Sequence, residues 1–176
     1  MTEKINVMIN EQDVDARIKE LGDQISADYA GRQVHMICIL KGASFFMCEL
    51  AKRISVPVSI DFMSVSSYGG GTESTGIVRV VKDLEKPVKD KDVLIVEDIV
   101  DSGRTICYLE DLFRQRECAS VRCVSLLDKP DRRVVDAKVD YTGFVIPDQF
   151  VVGYGMDYDE RYRNLPFIGV VELIDD

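Results

Sequence analysis

The sequence predicts an α/β fold built on a mostly parallel sheet with helices on both faces. Two observations carry this reading: short apolar runs alternate with stretches of helical periodicity, and one such run delivers acidic residues directly into a glycine-containing turn that opens a helix. A length of 176 residues with 46% hydrophobic and 30% charged side chains suits one domain, residues 1–176, with its own core.

The elements follow in chain order. Residues 11–30 place Val14, Ile18, Leu21, Ile25 and Tyr29 at helical spacing, with Asn10 as N-cap and Gly31 as a stop. The run VHMICIL, 34–40, reads as a buried strand that meets Lys41 and Gly42 before a second helix over 44–54. Val58, Ile60 and Phe62 alternate with Ser59, Asp61 and Met63, which predicts a strand over 56–65. The stretch SSYGGGTESTG, 66–76, has three consecutive glycines and few apolar groups, so a mobile loop is expected there.

Residues 77–81 form a further strand candidate, and a charged connector over 82–92 leads to VLIV, 93–96. After the turn DSGRT, a helix places Ile106, Leu109, Leu112 and Phe113 on one side, and 121–127 resumes as a strand. The last third differs, with short strand candidates at 141–146, 150–153 and 167–171 separated by polar turns.

The formal charge of -9 and pI near 4.7 exclude a surface designed to neutralise nucleic-acid phosphates. Cysteines 38, 48, 107, 118 and 123 form no CxxC pair, and an odd number leaves one unpaired, so buried reduced thiols in a cytoplasmic protein are expected. The charged beginning MTEKINVMINEQD does not read as a signal peptide or anchor, and no stretch approaches the ~20 apolar residues of a membrane span. His35 is the only histidine, which rules out chemistry that needs two.

The chemistry concentrates in VLIVEDIVDSGRT, 93–105. A strand buried on both sides carries Glu97 and Asp98 to its C-terminal end, where ligands bind in open α/β sheets. Such carboxylates suit the vicinal hydroxyls of a ribose and a magnesium ion. Ser102, Gly103, Arg104 and Thr105 then begin a helix whose first N–H groups lack intrahelical partners and can face a phosphate.

This string resembles the phosphoribosyl pyrophosphate motif of type I phosphoribosyltransferases. Four further segments match the 6-oxopurine branch in order: LKGA at 40–43, the SSYGGG loop, LLDKP at 126–130 and IPDQFVVGYGMDYDERYRNLP at 146–166. The resemblance implies the fold of that family, with a small hood formed largely by C-terminal elements. It also implies the roles of single residues. Lys129 would donate to the exocyclic oxygen of the purine, Phe150 would stack on the base, and the Val151 backbone would pair with its edge. Asp157 would bind magnesium or the base edge, joining Glu97 and Asp98 as metal-binding residues. Arg163 would hold pyrophosphate.

Lys41 and Gly42 resemble the loop whose amides face the leaving group, after a Leu40-Lys41 peptide that is often cis in the family. Ser67 and Tyr68 match the start of a closing loop, and Asp101 matches the general base. Asp159, Glu160 and Arg161 carry no such role and are expected to be solvated surface.

The implied substrates are a 6-oxopurine base and phosphoribosyl pyrophosphate, with Mg2+ as cofactor, a homodimer or homotetramer as the assembly, and neither nucleic acid nor membrane as partner. The preference among hypoxanthine, guanine and xanthine stays open. A non-catalytic regulator on the same fold, sensing phosphoribosyl pyrophosphate and binding nucleic acid, would need a basic surface and could dispense with the acid at 101; the net charge of -9 together with Asp101, Lys129, Asp157 and Arg163 favours an enzyme.

Overall fold

The computed structural model describes residues 2–68 and 77–174. Its main sheet has six strands: β2 (Val34–Leu40), β3 (Val58–Tyr68), β4 (Ile77–Lys82), β5 (Asp92–Val100), β6 (Ser120–Asp128) and β7 (Tyr141–Val145), in the spatial order β4-β3-β2-β5-β6-β7. Only β4 runs antiparallel to its neighbour. The parallel strands β2 and β5 are buried on both faces, as their unbroken apolar runs require.

Helices α1 (Glu11–Asp28) and α2 (Ser44–Ala51) cover one face, and α3 (Arg104–Gln115) covers the other. The Asn10 side chain caps α1 by accepting from the Asp13 amide at 2.9 Å. Val14, Ile18, Leu21 and Ile25 are fully buried against the sheet, so the predicted stripe is the packed one. Ile106, Leu109 and Phe113 do the same for α3.

A second, three-stranded antiparallel sheet in the order β1-β9-β8 stands beside the C-terminal ends of the main strands. It is formed by β1 (Thr2–Ile9), β8 (Val151–Val152) and β9 (Ile168–Ile174). This is the expected hood, with one addition: its edge strand comes from the start of the chain. The strand candidate at 141–146 belongs instead to the main sheet, where β7 pairs in parallel with β6.

The cysteines correct the expectation of uniform burial. Cys38 and Cys123 lie in the core, Cys107 and Cys118 are half-buried, and Cys48 is exposed, because α2 turns Phe46, Met47 and Leu50 inward. His35 is 96% buried near the start of β2, its Nδ1 2.7 Å from the Ser59 hydroxyl, far from the acids at the other end of the sheet.

Candidate active site

Strand order reverses direction around β2 and β5, because β3 lies on one side of β2 and β5 on the other. The crevice at the C-terminal ends of these strands is where a parallel sheet receives ligands. Three strand ends converge there: β2 runs into Lys41 and Gly42, β5 into Glu97 and Asp98, and β6 into Lys129.

Adjacent strand residues point to opposite faces, and this separates the two acids. Glu97 lines a cavity of about 160 Å³ together with Ser102, Gly103 and Thr105. Asp98 lines a different cavity of about 390 Å³ with Lys129, Phe150, Val151 and Asp157. Asp101 borders both cavities. A still larger hollow of about 530 Å³, between α1, α2 and residues 164–166, contains none of the motif acids.

The small cavity is shaped by the turn that starts α3. Gly103 caps the helix with φ +82°, a left-handed conformation that favours glycine. A Cβ there would also meet the Ala137 methyl at 2.5 Å. The Ser102 amide donates to the Asp101 carboxylate, the Arg104 amide reaches the Ser102 hydroxyl at 3.5 Å, and the amides of the first helical turn face the cavity end of α3.

Burial raises the Glu97 carboxyl well above the ordinary carboxylate range, and the nearby Asp98 and Asp101 charges push in the same direction. Asp98 is pushed up to about 6, mainly by burial; a 2.9 Å hydrogen bond from the Ile99 amide and the Arg163 charge oppose the rise, while Asp157 adds to it. Both shifts favour the neutral carboxyl, and a nearby cation would oppose them.

The residues that follow β2 pack with unusual closeness. A Cβ on Gly42 would lie 1.8 Å from Asp98 Oδ2, so the Asp98 carboxylate fills the space that a side chain at 42 would take. Gly155, φ +101°, makes a matching approach from the other side: its Cβ would lie 2.0 Å from the Gly42 carbonyl oxygen. The Leu40-Lys41 peptide is cis, as the resemblance implied.

Across the larger cavity, the Lys129 ammonium donates to the Gln149 carbonyl at 2.6 Å and lies 3.4 Å from Asp148 Oδ1. Phe150 follows directly. It is 56% exposed, and its ring meets Tyr158 edge to face at 5.6 Å. Val151 is buried in β8. Asp157 accepts from the Glu160 amide at 2.8 Å and pairs with Arg163 at 2.9 Å. Arg163 also donates to the Gly155 carbonyl at 2.7 Å, and its Nε is buried with no partner among the described residues. Ser67 and Tyr68 end β3, and the glycine-rich loop after them lies outside the described residues.

Two features escape a reading of the sequence. Arg133 ties the site together from below: its guanidinium donates to the Val100 carbonyl at 3.1 Å and to the Asp101 carbonyl, and pairs with Asp128. Nothing in the string DRRVV distinguishes that arginine from its neighbour. Glu160 is the other: it is exposed as expected, yet it contacts both Lys41 and Arg163.

The comparisons with known proteins agree with this geometry. The model of the phosphoribosyl transferase domain matches residues 8–159. A hypoxanthine-guanine phosphoribosyltransferase of Streptococcus thermophilus is 48% identical over 166 residues, covering 94% of this chain and 92% of that protein. The corresponding protein of Bacillus subtilis is 50% identical with the same coverage. The crystal structure of a hypoxanthine phosphoribosyltransferase from Staphylococcus aureus superposes with a TM-score of 0.91 at 50% identity, over 95% of this chain and 91% of that one. With its acids, glycine turn and hood in the places described, the chain belongs to the phosphoribosyltransferase family, in its hypoxanthine-guanine branch.

Proposed function

We propose that the protein makes purine nucleotides by transferring the phosphoribosyl group of phosphoribosyl pyrophosphate to hypoxanthine and guanine, releasing pyrophosphate. The observation that carries this reading is the position of Asp101, bordering a phosphate-sized cavity on one side and a base-sized cavity on the other. In this reading the 5'-phosphate sits on the amides of the turn from Ser102 to Thr105, and Glu97 and Asp98 hold the ribose. The purine lies on Phe150 with its edge against the Val151 backbone.

The purine ring nitrogen forms a bond to the anomeric carbon as the bond from that carbon to pyrophosphate breaks. The proton on the purine passes to the Asp101 carboxylate, and the leaving charge is met by Arg163 and the amides at Lys41 and Gly42. Lys129 donates to the exocyclic oxygen, a contact that an amino group cannot accept.

The donor set fits magnesium. Burial raises both β5 carboxyls, the Asp98 charge adds to the rise at Glu97 and the Asp157 charge to that at Asp98, and Mg2+ binds through one or two carboxylates, waters and substrate oxygens instead of a closed protein cage. Among the described residues no three such side chains form a ready-made cage. Glu97, Asp98 and Asp157 are the residues proposed to hold it, and the ion would supply positive charge to the diphosphate.

A cytoplasmic homodimer or homotetramer is proposed as the working form. Phe45, 44% exposed at the start of α2, is an apolar side chain that such an assembly would cover. No helix of the described residues is long and apolar enough to cross a membrane.

The test is nucleotide formation with hypoxanthine, guanine, xanthine and adenine in parallel, for the parent protein and for Lys129→Ala. Hypoxanthine and guanine should react, adenine should not, and Lys129→Ala should lose about 10- to 100-fold in kcat/KM for the oxopurines, as expected when a charged donor to a buried oxygen is removed. Adenine turning over as fast as hypoxanthine would overturn the assignment.

A further inference from the structure

Lys41 and Arg163 approach each other from two separate parts of the chain, and the group between them is an acid. The Lys41 ammonium lies 3.1 Å from each carboxylate oxygen of Glu160, and Arg163 Nη2 lies 3.3 Å from Glu160 Oε2. One carboxylate thus bridges the lysine of the β2 loop and the arginine of the hood, much as a diphosphate oxygen pair would. We propose that Glu160 is an internal stand-in for the diphosphate, competing with pyrophosphate and with the pyrophosphoryl group of the substrate for these two cations. The proposal rests on the reading of Arg163 and the Lys41 loop as the diphosphate site.

Three further observations support it. The backbone is bent to deliver this side chain: Asp159, Glu160 and Tyr162 have φ of 52°, 60° and 74°, a region that non-glycine residues seldom occupy. The bend is pinned by the 2.8 Å hydrogen bond from the Glu160 amide to Asp157, itself a proposed ligand-binding acid. A ligand that engages Asp157 therefore also loosens the turn that presents Glu160.

The pairing is also readily exchanged. The Lys41 and Glu160 side chains are 67% and 66% exposed, and exposed ion pairs of this kind are weak enough for a doubly charged anion to replace. Binding of the diphosphate expels the carboxylate, and departure of the diphosphate lets it return. Glu160 acts through Lys41 and Arg163 and is in this sense a positioning residue.

The experiment compares the intact protein with Glu160→Gln and with Asp159→Asn. Asp159 is the neighbouring acid and pairs with neither cation, so its variant removes the same charge without the bridge. Inorganic pyrophosphate, phosphoribosyl pyrophosphate and GMP are titrated calorimetrically at fixed magnesium chloride.

Glu160→Gln should bind both diphosphates about three- to tenfold more tightly, the scale of two weak exposed pairs, with a matching fall in KM for phosphoribosyl pyrophosphate and no rise in kcat. GMP, which has no diphosphate, should bind as before. Asp159→Asn should change all three by less than about twofold, and the gain in Glu160→Gln should shrink in 0.5 M salt. Unchanged or weaker diphosphate binding by Glu160→Gln overturns the proposal, as does an equal gain in Asp159→Asn. If the parent protein binds GMP but neither diphosphate, the diphosphate site itself is misplaced and the proposal falls with it.

Discussion

Replacing Gly42 by alanine would put a methyl group where the Asp98 carboxylate already is. The new Cβ would lie 1.8 Å from Oδ2 and 2.6 Å from Cγ of Asp98, so the carboxylate must retreat by roughly 1.7 Å to reach ordinary contact. It cannot do so freely, since Oδ1 is held by the Ile99 amide at 2.9 Å and the side chain is packed at the end of β5. Losing that bond and crowding the strand end should cost about 1–3 kcal/mol of stability.

The functional loss should be larger, because a displacement near 1 Å in a positioning group can cost about 10²-fold in rate. The assay is kcat/KM for phosphoribosyl pyrophosphate, alongside denaturant unfolding of Gly42→Ala, Asp98→Ala and the double variant. If the clash is with Asp98, adding Gly42→Ala to an Asp98→Ala background should cost little stability, a coupling of about 1 kcal/mol or more. Additive costs in the cycle, or a Gly42→Ala enzyme within threefold of the parent, would refute the argument from close approach.

Asp101→Asn keeps an acceptor for the Ser102 amide but cannot take up a proton, so phosphoribosyl pyrophosphate affinity should stay within a few-fold while the single-turnover rate falls about 10²- to 10⁴-fold. Collapse of binding with an unchanged rate would make it a capping residue. For pH, Asp98 titrates near 6 in the folded protein against an ordinary 3.8, so the fold favours its protonated form; the stability it contributes is present below about pH 4 and is lost as pH rises through 6. Asp98→Asn, which cannot ionise, should therefore gain on the parent by at most about 3 kcal/mol between pH 4 and 8, measured by urea unfolding without ligand. A constant difference across that range would show that Asp98 is ionised throughout.

Much of this site could be read in the sequence because its central part is contiguous. A buried strand, the acids at its end and the start of the next helix all lie within 93–105, and local rules alone place them. Period-2 alternation also contains the separation of Glu97 from Asp98, although adjacency in sequence invites treating them as one pair. The exposure of Cys48 was likewise present in the helical spacing of Phe46, Met47 and Leu50.

What was not legible depends on contacts between distant segments. Strand β1 begins with charged residues, and its alternation breaks at the irregularity between Val7 and Ile9, so its strand character is conferred by β9. Glu160 reads as surface and is exposed, but nothing local shows that a left-handed turn brings it across to Lys41, a partner 119 residues away. Arg133 reaches the Asp101 peptide from a loop with no helical or strand period to announce it.

The pairing of β1 with β9 bears on how the molecule comes into being. Asn6 donates to Glu172 at 2.8 Å across 166 residues of sequence, so one partner in this ladder leaves the ribosome well before the other. The six-stranded sheet can assemble from nearer neighbours while translation continues, but β8, which follows Phe150, stays without its neighbour until β9 emerges. A growing chain would thus hold the turn proposed to bind phosphate before it has the platform proposed for the base, and the two would meet only when synthesis has passed residue 170.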